Sequence, residues 1–207
     1  MRFTTIYNNP IRRATVTDSW VYWDDAFTED EIDQIVSYCE NLELESGTTF
    51  GAKDQQEVEL HRVSNIKFLE RNPETAWIFD RLNAVIQSAN EMFYGFELNG
   101  YDSIQFTTYN AEREGRYDWH MDMALGEIQE PVNLIQTRKL SLTFCLNDDY
   151  EGGGFQINEG REEYAQTLPI KKGRAILFPS FIIHRVAPVT KGVRKSLVVW
   201  AVGPKFV

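Results

Sequence analysis

The chain has three histidines and two cysteines among its 207 residues. Two cysteines, Cys39 and Cys145, are too few for a disulfide framework. No apolar run approaches the roughly 20 residues a membrane-crossing helix needs. The opening stretch MRFTTIYNNPIRR lacks the apolar centre of a signal peptide. Internal repeats and low-complexity tracts are absent too, which argues against a solenoid or a compositionally disordered chain. Basic residues are in deficit: 21 Lys and Arg face 31 Asp and Glu, for a formal net charge of −10. That balance argues against a broad nucleic-acid surface, because such affinity comes from clustered cations. These absences point to a cytoplasmic protein with no membrane partner.

What is abundant is material for a core. Hydrophobic residues make up 43% of the chain and aromatic residues 13%, enough for one domain over residues 1–207. Residues 1–100 carry the helical signals. Thr28-Glu29-Asp30-Glu31 reads as a capping box ahead of Ile32, Ile35, Val36, Cys39 and Leu42 at helical spacing. Asn72-Pro73 is expected to open a second helix, with Trp77, Ile78, Leu82, Val85, Ile86, Ala89 and Phe93 on its apolar face and Gly95 as its C-cap. Between them, the polar segment Ser46 to Glu59 is expected to be a mobile loop and a candidate lid.

From about Tyr101 the period becomes strand-like. Ser103–Tyr109, Leu140–Leu146, Arg174–Phe178 and Ser196–Val202 are β-rich runs divided by turn residues. Strands in succession beside N-terminal helices predict an α+β fold, a sandwich or jelly roll over residues 101–207 with helical support from 1–100. Gly152-Gly153-Gly154 reads simply as a turn.

Two of the three histidines stand in one pattern, His120-Met-Asp122 followed at a distance by His184. On a strand, residues i and i+2 share a face, so His120 and Asp122 can reach one metal while Met121 points away. Two imidazoles and one carboxylate are the ligand set of non-haem Fe(II) oxygenases, which leaves positions open for co-substrate and O₂. On the last strand, alternation puts Arg194, Ser196, Val198 and Trp200 on one face and Lys195, Leu197, Val199 and Ala201 on the other. An interior guanidinium demands an anion, and its fork suits a carboxylate. That anion is either a distant Asp or Glu or a ligand. Tyr109 could add its hydroxyl, and Tyr117 could wall the pocket.

The segments YNAEREGRYDWHMD, RKLSLTFCLNDDYEGGGFQI and LPIKKGRAILFPSFIIHRVAPVTKGVRKSLVVW resemble the PKHD-type branch of the prolyl 4-hydroxylase-like 2-oxoglutarate and Fe(II)-dependent dioxygenases. The likeness runs from about Tyr101 to Gly203. The N-terminal half matches more loosely, although Arg62-Val-Ser64 before an apolar stretch is similar to family members. The resemblance implies a double-stranded β-helix (cupin-like) with His120, Asp122 and His184 on Fe(II). It implies Arg194 on the distal carboxylate of 2-oxoglutarate, with Tyr109, Thr143, Ser196 and Trp200 around the co-substrate. Tyr109 lies somewhat further ahead of His120 than in similar members. O₂ is the implied oxidant and ascorbate an accessory reductant. The implied reaction is hydroxylation of a peptidyl prolyl or other amino-acid side chain, on a peptide or protein. Alternatives are oxidation of another small molecule or a nucleobase, or a non-catalytic metal-binding jelly roll. A zinc hydrolase would need HExxH, which is absent.

Overall fold

The computed structural model describes residues 16, 18–49, 51–123 and 136–205. Its strands in chain order are β1 (Val21–Trp23), β2 (Glu45–Ser46), β3 (Arg62–Val63), β4 (Asn65–Leu69), β5 (Gly100–Asn110), β6 (Arg116–His120), β7 (Gln136–Cys145), β8 (Glu151–Gly152), β9 (Phe155–Asn158), β10 (Gln166–Thr167), β11 (Ala175–Pro179), β12 (Ile183–Val186), β13 (Val189–Lys191) and β14 (Val193–Pro204). The α-helices are α1 (Glu29–Glu40), α2 (Gln55–His61) and α3 (Ala76–Ala89).

A seven-stranded sheet runs β1-β11-β7-β14-β5-β4-β2 and a five-stranded sheet runs β10-β9-β12-β6-β3, with β13 and β8 as a short pair. Every pairing is antiparallel. The pair of sheets is a double-stranded β-helix, and the helices lie outside it.

Alternation along the long strands explains why one sheet serves two purposes. Leu140, Leu142, Phe144 and Leu146 of the β7 stretch, with Leu197, Val199 and Ala201 of β14, pack against Ile32, Ile35, Ile78, Leu82 and Ile86 of α1 and α3. Each such side chain contributes about 1.5–3 kcal/mol when fully buried. Exposed ion pairs such as Arg71–Asp80 contribute little because water screens them, so burial fixes the helices in place. The intervening residues Ser141, Thr143, Arg194, Ser196 and Trp200 face the space between the sheets.

The expected capping box is present: Glu31 N donates to Thr28 Oγ1 at 3.2 Å and Thr28 N to Glu31 Oε2 at 2.8 Å. The second helix starts later than the Pro73 signal suggests. Asn72 Oδ1 accepts from Glu74 N and Thr75 N, a side-chain-bonded turn that holds Asn72-Pro73 outside the helix. The helix then runs from Ala76 and ends in a π-turn over Asn90–Tyr94, closed by Gly95 at φ 62°.

One expectation for the first half is corrected. Ser46 to Glu59 is not one loop: Ser46 is in β2, and Gln55 to Glu59 belong to α2, whose N-cap Asp54 accepts from Glu57 N at 2.9 Å. Alongside its helices the first half also supplies β1, β2, β3 and β4, which complete both sheets, and the first three span only two or three residues each. Strands this short carry too few alternations to register as a period. Among the described residues no helix is long and apolar enough to cross a membrane.

Candidate metal and co-substrate site

His120 ends β6 and His184 lies in β12, directly opposite it in register. Strand pairing therefore brings the remote histidine to the HxD motif. Asp122 sits just past β6, where Asp122 N and Met123 N both donate to the Ser180 carbonyl at 3.0 Å. Asp122 Oδ1 is 3.7 Å from His120 Nε2 and Oδ2 is 3.6 Å from His184 Nε2. Among the described residues these three form the one group whose ligand atoms converge, all within 4.8 Å.

Neighbouring groups orient the ligands. His120 Nδ1 lies 2.7 Å from the Asp118 carbonyl and His184 Nδ1 2.9 Å from that of Ile182. A ring N–H donating to each carbonyl leaves the Nε2 lone pairs facing Asp122. Ser141 Oγ donates to Asp122 Oδ2 at 2.7 Å and lies 2.9 Å from Ser180 Oγ. Burial, then the nearby His184, pushes His120 down to about 3, so its imidazole is neutral, the ligating form. Burial by itself would raise the Asp122 carboxyl; the two imidazoles and Ser141 outweigh it and hold the carboxyl below its ordinary value. Two imidazoles and a carboxylate fit a divalent cation.

The triad opens on a cavity of about 790 Å³ between the sheets. All the residues singled out from the sequence line it: Tyr109, His120, Asp122, Thr143, His184, Arg194, Ser196 and Trp200. Arg194 is 1% exposed. Its Nη1 donates to Ser196 Oγ at 3.1 Å, whereas Nε and Nη2 have no close hydrogen-bond partner among the described residues, with the Tyr150 hydroxyl beside the guanidinium. Tyr109 stands opposite Arg194 across β5 and β14, its ring centroid 5.5 Å from the guanidinium carbon. Orphaned buried donors of this kind mark the place of an anion, and a carboxylate fits them. Trp200 Nε1 is also buried without a partner among the described residues.

Sequence reasoning missed several cavity residues. Ser141 shares the inward face with Thr143, and alternation could have found it. Arg138, which ion-pairs with Asp102 at 2.8 Å and lies 3.9 Å over Trp200, had no such signal. Tyr117 does wall the pocket, stacked on His120 with centroids 3.5 Å apart. Gly153 is more than a turn residue: at φ 62°, a Cβ there would come within 3.1 Å of Arg194 Cδ. Thr48 and Thr49, from the stretch expected to be a lid, also line the cavity.

Residues 104–202 match the model of the 2OG-Fe(II) oxygenase superfamily. The chain is 30% identical over 163 residues to a PKHD-type hydroxylase of Aliarcobacter butzleri, covering 78% of this chain and 70% of that protein. The chain belongs to the PKHD-type branch of that superfamily. Several other PKHD-type hydroxylases are matched over only 32% to 40% of their own length. In fold, the PKHD-type chain is similar to a prolyl-4-hydroxylase of Pseudomonas putida, with TM-score 0.69, 16% identity, and 92% and 95% of the two chains covered. It is equally similar, at TM-score 0.69 and 15% identity, to a prolyl hydroxylase in complex with a hypoxia inducible factor peptide fragment from Trichoplax adhaerens, over 91% and 87% of the chains. The family's Fe(II), 2-oxoglutarate and O₂ match the donor set of this PKHD-type site.

Proposed function

We propose that this chain is a 2-oxoglutarate- and Fe(II)-dependent dioxygenase that hydroxylates an amino-acid side chain, with a prolyl residue of a peptide or protein as the first candidate. The carrying observation is that a convergent His-Asp-His group and an orphaned buried arginine share one cavity. A metal-binding jelly roll without catalysis needs the first feature and has no use for the second. The prolyl peptide is supported by the two structural relatives, a prolyl-4-hydroxylase and a peptide-bound prolyl hydroxylase.

In this reading His120, Asp122 and His184 hold Fe(II), and Arg194 with Ser196 binds the distal carboxylate of 2-oxoglutarate. Bound iron supplies the oxidising chemistry that couples 2-oxoglutarate breakdown to succinate and CO₂ with insertion of one O₂ oxygen into a C–H bond. Tyr109 and Thr143 border the co-substrate, and Trp200 offers its free N–H there. Ser141 keeps Asp122 turned toward the metal and occupies one of its lone pairs. Residues 1–207 act as one domain, with ascorbate as accessory reductant. Free, buried Cys39 and Cys145 suit a reducing, cytoplasmic setting.

The test is succinate formation from 2-oxoglutarate with Fe(II), co-substrate or O₂ withheld in turn, alongside a screen of peptides and metabolites for oxygen incorporation. Omission of any one component is expected to abolish succinate. Succinate formed without iron would overturn the reading. Asp122→Ala is expected to lose metal retention, measured by metal analysis after desalting, because two neutral imidazoles alone leave the dication uncompensated.

A further inference from the structure

Arg62 is a second buried cation in the cavity, and the reaction described above gives it no role. It opens β3 at the edge of the five-stranded sheet and is 6% exposed. Its Nε donates to Ser64 Oγ at 2.8 Å and its Nη1 to the Thr48 carbonyl at 2.9 Å. Nη2 has no hydrogen-bond partner among the described residues but is not sealed off from the cavity, and no described carboxylate ion-pairs with the group. The guanidinium lies 4.5 Å over the Tyr117 ring, whose other neighbour is the stacked imidazole of His120. A guanidinium buried without a counter-charge is costly enough to imply a partner.

The surroundings hold it in place. Gly47 N donates to the Ser64 carbonyl at 2.8 Å. A Cβ on Gly47 would collide with Ser64 Oγ and lie 2.7 Å from Arg62 Nε. Glycine therefore lets this backbone pass close enough to hold the Arg62–Ser64 pair. Thr49 Oγ1, on the same wall, is buried beside the Tyr117 hydroxyl, with no close hydrogen-bond partner among the described residues.

Charge balance says what is missing. The described cavity lining carries three arginines, Arg62, Arg138 and Arg194, and two carboxylates, Asp102 and Asp122. Arg138 is paired with Asp102. With metal and co-substrate bound, the dication, Asp122, Arg194 and the two carboxylates of 2-oxoglutarate cancel. Arg62 is left over, on the opposite sheet from Arg194 and on the far side of Tyr117 from His120.

The geometry points to Arg62, with Thr49, as the seat of a carboxylate on the prime substrate, so the substrate class is an acid: an amino acid, or a peptide carrying an acidic side chain or terminus beside the oxidised carbon. The inference rests on the metal and co-substrate reading given above. One free guanidinium nitrogen and one hydroxyl match a singly charged carboxylate better than a phosphate dianion, which calls for a fuller ring of donors.

The test uses the full chain loaded with Mn(II) and saturating 2-oxoglutarate, with acetate as the anionic probe and acetamide as its neutral isostere. Proton relaxation by the paramagnetic metal is read for both probes and for 2-oxoglutarate in the same sample. Acetate is expected to be relaxed and acetamide not. Arg62→Gln should cut the acetate effect at least about tenfold, the loss expected for one charge-assisted hydrogen bond, and leave 2-oxoglutarate relaxation unchanged. Arg62→Lys, which keeps the charge, should retain part of the effect; Gly47→Ala, which displaces Arg62 without removing it, should lose it. If 2-oxoglutarate itself is not relaxed, the metal and co-substrate reading fails. If it is relaxed while acetate is not, or acetate is relaxed equally in Arg62→Gln, the acid-substrate inference alone is overturned.

Discussion

Arg194 shows how one side chain can carry a chemical meaning that its neighbours in sequence do not. It is 1% exposed, and among the described residues only its Nη1 has a close hydrogen-bond partner. Arg194→Ala is expected to raise the 2-oxoglutarate concentration needed for half-maximal succinate formation by a hundredfold or more, since losing one partner of a buried charge pair costs about 3–5 kcal/mol. Half-saturation at the wild-type concentration would mean that another cation holds the carboxylate. Gly153 makes a subtler test. With φ at 62° and Arg194 Cδ 3.1 Å from where a Cβ would stand, Gly153→Ala combines backbone strain with pressure on the guanidinium stem. Weakened 2-oxoglutarate binding with unchanged metal retention is the expected outcome, readable by titration calorimetry.

Elements of this fold are tied down by a few local devices. Thr28 caps α1 and Glu31 closes the capping box while also pairing with Arg81 of α3 at 3.2 Å. Thr28→Ala is expected to lower stability by about 1 kcal/mol, seen as a lower urea midpoint at constant slope. Strand β1 is clamped to β11 at its neighbouring loop, where Arg174 Nε and Nη2 donate to Asp24 at 2.7 and 2.8 Å. Those bonds from Arg174 hold the Asp24 carboxyl down at about 2. A depressed folded-state value means the contribution is full above the unfolded value of 3.8 and is lost as pH falls from there through about 2. Between those limits the wild type is expected to lose stability that Asp24→Asn never has. The two acid-unfolding curves should therefore converge at low pH and separate above pH 4; parallel curves would show that the clamp contributes nothing.

For the whole molecule, the site joins the two sheets. Asp122 follows a strand of the five-stranded sheet, yet Ser141 of the seven-stranded sheet holds it, and Arg194 faces the same cavity from β14. Ligands spanning that gap bind the folded state only, so their binding energy adds to folding stability. At a hundred times its dissociation constant, a ligand is worth about 2.7 kcal/mol. Mn(II) together with 2-oxoglutarate is expected to raise Tm more than either alone, and a chelator to reverse the metal-dependent part. A melting curve unmoved by both would remove the bridging role.

The sequence by itself determined the chemistry-bearing parts that repeat or stand in fixed spacing. His120 and Asp122 two apart, the alternation of Arg194, Ser196 and Trp200, and the Thr28 capping box are all read from local spacing. The last two stayed on the elements expected, whereas Asp122 lies past the end of β6 and Met121 lines the cavity with it. Tertiary structure decided what long-range contact controls. The partner of His120 is chosen by the β6–β12 register. The strands β1 to β3 are too short to announce themselves, and α2 emerged from a segment whose polarity resembled a loop. Arg138 looked like an ordinary charged residue, and Arg62 carried only a loose family likeness, until folding brought both into the cavity. A charge acquires its role from whichever partners burial leaves it, and burial belongs to the assembled sheets.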